Sequence, residues 1–207
     1  MNRLKRIFVW LRRIGCCRGF GVQSPSAYAF IRYVVNEHYP YYAYADLKER
    51  WGEVRGVRLK LCRLYFRLAN YAQAARWLWA GTPPEAERGY ISSGCRRSAV
   101  TPWTAGHAST DDAERGGALV GVIPLAADEH TRHEAARRFA DLAAEAATTQ
   151  GGERSMVVVE GIGHDHVAKA VWQELTADSR VSVTFDLYYC GIAFFDKRFR
   201  QGYVVNF

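Results

Sequence analysis

The sequence predicts an α/β protein whose mostly parallel sheet ends in an antiparallel hairpin and is preceded by a layer of helices. Three observations predict it. From residue 71 onward short apolar runs alternate with helical patterns, and strands separated by helices argue for crossover units and a parallel sheet. Near the C-terminus, "VSVTFDLYYCGIAFFDK" holds two β-rich runs with no room for a helix between them, so they must pair antiparallel. Before residue 71 the apolar spacing is helical in three separate segments.

Residues 3–14, "RLKRIFVWLRRI", read as a basic amphipathic helix. Leu4, Ile7, Phe8, Leu11 and Ile14 form one stripe, with Lys5, Arg6, Arg12 and Arg13 gathered opposite. The apolar stripe is expected to cover a protein surface rather than to enter lipid, although a basic face suits anionic headgroups. A second helix begins at Ser24-Pro25, a capping serine followed by a proline suited to the first helical position, and is expected to run to Pro40. A third covers 58–71, with Lys60, Arg63 and Arg67 on one edge and Leu61, Leu64, Tyr65 and Leu68 turned inward. Strands are expected at 76–80, 98–101, 118–125 and 155–161, and helices at 128–148 and 165–177. With the hairpin this makes six principal strands, parallel except for the final hairpin member, and 202–207 is a further strand candidate. The chain thus divides into an N-terminal helical layer, 1–70, and a sheet domain, 71–207, as one compact unit.

The 207 residues, 49% of them hydrophobic, suffice for a single core. No stretch reaches the roughly eighteen apolar residues of a membrane span. The short apolar run 7–11, followed by two arginines, is too brief for a signal-peptide core, so the expected location is cytoplasmic. Cys16, Cys17, Cys62, Cys95 and Cys190 form no zinc or redox spacing and read as reduced thiols. The net charge of +7 is uneven: residues 1–70 carry fourteen Lys and Arg against four Asp and Glu, whereas 71–207 carry fourteen against seventeen. The basic half is either a solvated face or a docking surface for an anionic partner, which would be an acidic protein or a membrane surface ahead of nucleic acid. A homodimer is left open.

The pieces "RGFGVQSPSAYAFI", "HYPYYAYADL", "LYFRLANY" and "FDLYYCGIAFFDKRFRQGYVVNF" carry a resemblance. In this order they resemble a bacterial branch of the class I S-adenosylmethionine-dependent methyltransferases over most of the chain. The resemblance implies a Rossmann-like domain with its ligand chemistry at the strand ends. A glycine-rich turn after the first strand would admit the methionyl part of S-adenosylmethionine. An acidic residue ending the second would accept two hydrogen bonds from the ribose. In "ARWLWAGTPPEAERGY", Gly81 matches the first glycine and Thr82 follows it, so these two are the candidate cofactor-binding residues.

The departures are extensive. Trp79 stands where an acid is expected, and Pro83-Pro84-Glu85 displace the later glycine. The second strand ends at Thr101-Pro102 and the fourth at Ile123-Pro124, both without a carboxylate. The fifth, "VVVEGIGH", keeps Glu160, the candidate catalytic base. Residues 103–117 are too few for two crossovers and a strand, since one crossover takes about a dozen residues, so the family's third strand is expected to be lost. The resulting expectation is a methyltransferase-like protein, catalytically degenerate, whose S-adenosylmethionine binding is weak or absent. Alternatives are an enzyme using the backbone around Gly81 with Glu160 as base, and a non-enzymatic interaction protein docking through its basic helices.

Other candidates have plainer readings. Glu160 with His164 and His166 suggests acid–base or metal chemistry, but a metal needs third and fourth ligands, and Asp165 reads equally as a helix cap. His130 and His133 sit in the first turns of a charged helix and read as surface residues. Cys16-Cys17 beside Arg18 would be a reactive pair only with a partner base. The aromatic run from Tyr39 to Tyr44 either stacks on bases or packs a helix junction.

Overall fold

Alternate side chains of each strand meet different helical layers, and this period of two organises the protein. The structure, a computed structural model, describes residues 7–9, 11, 13, 22–106 and 116–207. The sheet comprises β1 (Arg76–Ala80), β2 (Ala99–Trp103), β3 (Leu119–Ile123), β4 (Met156–Glu160), β5 (Val183–Asp186), β6 (Cys190–Phe194) and β7 (Gln201–Val204). Their order is β2-β1-β3-β4-β6-β5-β7. β6 is antiparallel to β4 and β5, and every other pairing is parallel. The mostly parallel sheet with an antiparallel C-terminal pair is therefore present, and β7 joins it as a seventh strand, parallel to β5. Among the described residues no strand lies between β2 and β3, and β2 forms one edge of the sheet. Pro102 lies inside β2, opposite Trp79. A proline cannot donate to a ladder, so it is tolerated on an edge strand.

The helices are α1 (Pro25–Phe30), which continues as a π-helical turn at Ile31–Val35, then α2 (Ala43–Arg50), α3 (Gly56–Ala72), α4 (Glu85–Gly94), α5 (Glu129–Ala147) and α6 (His166–Ala177). On one sheet face Trp77, Trp79, Val122, Val158 and Ile192 share a core with Phe30 of α1 and Leu64 and Leu68 of α3. On the other, Leu78, Ile123, Val157 and Val159 meet Phe139 of α5 and Val171 of α6. A third cluster, Leu47, Cys62, Phe66 and Tyr90, joins α2, α3 and α4. The N-terminal helices are thus continuous with the sheet's core. Ser24, Asp128 and Asp165 cap α1, α5 and α6 through their side chains, each accepting a backbone N–H.

Four expectations are corrected. The second helix ends at Val35 instead of reaching Pro40, because its last turn widens and leaves carbonyls without helical donors. The Arg67 guanidinium supplies them, Nε donating to the Val34 carbonyl at 2.5 Å and Nη2 to that of Val35 at 3.0 Å. Arg67 is consequently buried rather than on a charged edge. The helix α2, not expected from the sequence, divides the aromatic run. Tyr41 and Tyr44 pack on Phe66 at ring distances of 4.9 and 5.1 Å, whereas Tyr39 and Tyr42 are 74% and 98% exposed.

The fourth correction concerns the N-terminal helix, of which residues 7–9, 11 and 13 are described as helical. Ile7 and Leu11 are more than half exposed, at 55% and 53%, so the stripe is not buried in the protein's own core. Leu4 and Ile14 lie outside the described residues. The contact falls to Arg13, whose Nη1 donates to Asp186 Oδ1 at 2.9 Å and to the Val205 carbonyl at 3.4 Å.

Close helix–sheet approach is tested at Gly121 in β3. A Cβ there would lie 2.6 Å from Cδ2 of Phe139 and 2.8 Å from its Cβ. Gly121→Ala is expected to destabilise the protein by about 1–3 kcal/mol in urea denaturation, the usual cost of overpacking. An unchanged midpoint would mean that α5 can lift from the sheet.

Candidate functional site

In open α/β sheets ligands bind beyond the carboxyl ends of the parallel strands, which here are the ends of β1, β3 and β4. β4 closes on Glu160. Its Oε1 accepts the Tyr65 hydroxyl at 2.5 Å and its Oε2 accepts the Leu125 backbone N–H at 3.0 Å. Tyr65 is fully buried on α3, its ring edge-on to Trp79 at 5.6 Å. Leu125 follows β3 by two residues. One carboxyl group therefore joins a helix and two strand ends. Burial raises the Glu160 pKa above the ordinary carboxyl range, in spite of the opposing pull of the bonds from Tyr65 and Leu125. Burial likewise pushes up the Tyr65 hydroxyl and the Cys190 thiol, and the Glu160 charge adds to both shifts.

The same flank of α3 carries Arg58 and Cys62, spaced so that helical geometry aligns them with Tyr65. Arg58 forms a bidentate pair with Glu87 of α4, Nε to Oε1 at 2.7 Å and Nη2 to Oε2 at 2.9 Å. The side-chain hydrogen bond to Glu87 raises the Arg58 pKa. Cys62 is buried nearby, and burial, then the Glu87 charge, raises its thiol pKa. Two polar ties thus fasten α3, one to β4 and one to α4.

Gly81, after β1, takes a left-handed φ of +82°, with open space where a Cβ would lie. The turn is sterically open. Its donors are another matter. The Gly81 N–H donates to the Trp103 carbonyl at 2.8 Å, and Pro83 and Pro84 have no N–H to offer. Thr82 is exposed. β2 runs on to Trp103 instead of stopping at Thr101-Pro102, because Ala80 pairs with Trp103, and Thr104, Ala105 and Gly106 after it bring no carboxylate. Among the described residues no acid follows β2, and each oxygen of the acid ending β4 accepts one hydrogen bond.

Gly81 and Glu160 do sit at the carboxyl ends of β1 and β4, with β3 between those strands. The neighbouring histidine motif disperses. His164 packs against the rings of Tyr188 and Tyr189, while Asp165 caps α6 and pairs with Arg132 at 2.8 Å. His130 and His133 pair with Glu134 and Glu174. Among the described residues no three His, Cys, Asp or Glu side chains gather as metal ligands. Cys16 and Cys17 lie outside the described residues. Sequence reasoning placed Tyr65 inward but missed its hydroxyl's role, and it missed the Arg58–Glu87 pair. A signal for the first existed: a buried tyrosine hydroxyl requires a partner.

No protein-family model, curated protein or solved structure matches this chain.

With its pKa raised in the folded state, Glu160 holds its proton more tightly there than in the unfolded chain. The stability linked to it is complete below the unfolded value, near 4.5, and declines as pH rises through the folded value. Urea titrations across pH should show wild type losing stability relative to Glu160→Gln as pH rises above that point. A difference that stays constant with pH would contradict this environment for Glu160.

Proposed function

We propose that this chain is a methyltransferase-like protein that has lost the chemistry of its cofactor cleft and works by binding rather than catalysis. The observation that carries this reading is that Glu160 is engaged within the fold, one oxygen by Tyr65 and the other by the Leu125 N–H. A base needs a lone pair directed at substrate, and a ribose ligand needs oxygens that can accept. Each Glu160 oxygen already holds a donor of the fold, which fixes the carboxyl toward Tyr65 and Leu125. The Gly81 N–H, committed to Trp103, and the two prolines after Thr82 support the same conclusion. A hydrogen bond to a charged group contributes about 1.5–3 kcal/mol, and about 1.4 kcal/mol is a tenfold change in affinity. Lacking even one such contact therefore lowers cofactor affinity roughly tenfold to a hundredfold.

Contact-based function has its own support. Ile7 and Leu11, one helical turn apart, are more than half exposed in the half of the chain that carries the positive excess. No helix among the described residues is long and apolar enough to cross a membrane. An apolar stripe beside a basic one suits an acidic protein or an anionic membrane surface.

Calorimetric titration with S-adenosylmethionine and its demethylated product tests the reading. The expected result is no saturable binding tighter than about 10 μM, equivalent to about −7 kcal/mol. Tighter binding would overturn the reading that cofactor binding is lost.

A further inference from the structure

The side of α3 away from Tyr65 forms a wall of a cleft of about 1000 Å³. The segment from Val35 to Ala45 makes the facing wall, and Asn206 and Phe207 close one end. Neither Gly81 nor Glu160 lines it, so the cleft is distinct from the strand-end site.

Its chemistry is asymmetric. Lys48, Lys60, Arg63 and Arg67 line it, and Glu37, which accepts the Tyr41 hydroxyl at 3.4 Å, is the one acidic side chain in its lining. Arg67 is engaged with the Val34 and Val35 carbonyls and serves the wall itself. Lys48 is exposed. Arg63 lies over the Tyr44 ring at 5.1 Å, yet its Nε is enclosed and meets no hydrogen-bond acceptor among the described residues. The same holds for Nδ2 of Asn36. Enclosed donors in folded proteins nearly always have acceptors, and here two such donors share one cationic cleft. They call for a ligand rich in acceptor oxygens. The exposed rings of Tyr39 and Tyr42 at the same cleft add flat apolar surface of the kind on which bases stack.

We propose that this cleft binds the phosphate and base of a nucleotide. The phosphate oxygens meet Arg63, Asn36 and Lys48, and the base lies against Tyr39 or Tyr42. The inference goes beyond the loss of cofactor chemistry and does not rest on it. An acidic peptide would satisfy the cations but leave the two exposed rings without a role.

Calorimetric titration of the full chain with ATP, a single-stranded octa-adenylate RNA, inorganic tripolyphosphate and an octaglutamate peptide tests the proposal. ATP or the octanucleotide should bind saturably below about 1 mM, with tripolyphosphate at least about tenfold weaker. ATP binding as tightly as the octanucleotide identifies a free nucleotide as the ligand, whereas a much tighter octanucleotide identifies a strand. Arg63→Gln with Lys48→Gln should weaken both about tenfold. Tyr39→Ala with Tyr42→Ala should weaken them roughly fivefold or more and leave tripolyphosphate unchanged. Should Arg63→Gln lower the unfolding midpoint, Lys48→Gln and the tyrosine pair, all exposed, decide alone. The proposal is overturned by no binding of either nucleotide, by tripolyphosphate or octaglutamate binding as tightly, or by indifference to the tyrosines.

Discussion

The architecture depends on a hydrogen-bonded carboxyl group placed where the helical layer meets the sheet. Glu160 ends β4, and its two oxygens hold Tyr65 of α3 and the backbone just after β3. Without the tyrosine the part-buried carboxyl would lack one partner, and without the carboxyl a fully buried hydroxyl would lack its acceptor. The second loss leaves a desolvated polar group, a larger penalty than the bond's own net contribution. The tie also sets what α3 covers. With Tyr65 held at the strand ends, Leu64 and Leu68 lie over the face of β1 that presents Trp77 and Trp79.

Most of the fold was legible because it is written in periodicity. β1 was bounded from sequence at its observed residues, α3, α5 and α6 came within two residues of theirs, and the hairpin followed from the absence of room for a helix. The elements that escaped are governed by distant partners. The early end of the second helix depends on Arg67, more than thirty positions away, and an arginine at helical spacing gives no sign that it will cap carbonyls. α2 is short and polar outside, and is held by aromatic packing on α3 and α4 that only tertiary structure brings together. β2 extends over a proline because pairing with β1 overrides the local signal.

The candidate site was legible in position but not in state. Gly81 and Glu160 were placed at strand ends by where the apolar runs stop and by the resemblance, and they lie at the ends of β1 and β4. Whether an acid there is a base or a structural acceptor depends on which side chains meet it, and Tyr65 is ninety-five positions away. The two flanks of α3 have diverged accordingly. Arg58, Cys62 and Tyr65 are absorbed into bonds or burial within the protein, whereas Lys60 and Arg63 face a cleft. The basic excess of the first seventy residues is thus partly structural, as at Arg67 and Arg13, and partly surface, as at Lys48.

The most direct measurement of the central claim is a double-mutant cycle between Tyr65→Phe and Glu160→Ala, read from urea denaturation at neutral pH. If the pair ties the helical layer to the sheet, each single change should destabilise the protein. Together they should cost less than their sum, with a coupling energy of about 1–3 kcal/mol. Additivity to within about 0.5 kcal/mol would contradict it, leaving Glu160 independent of Tyr65 and available for chemistry.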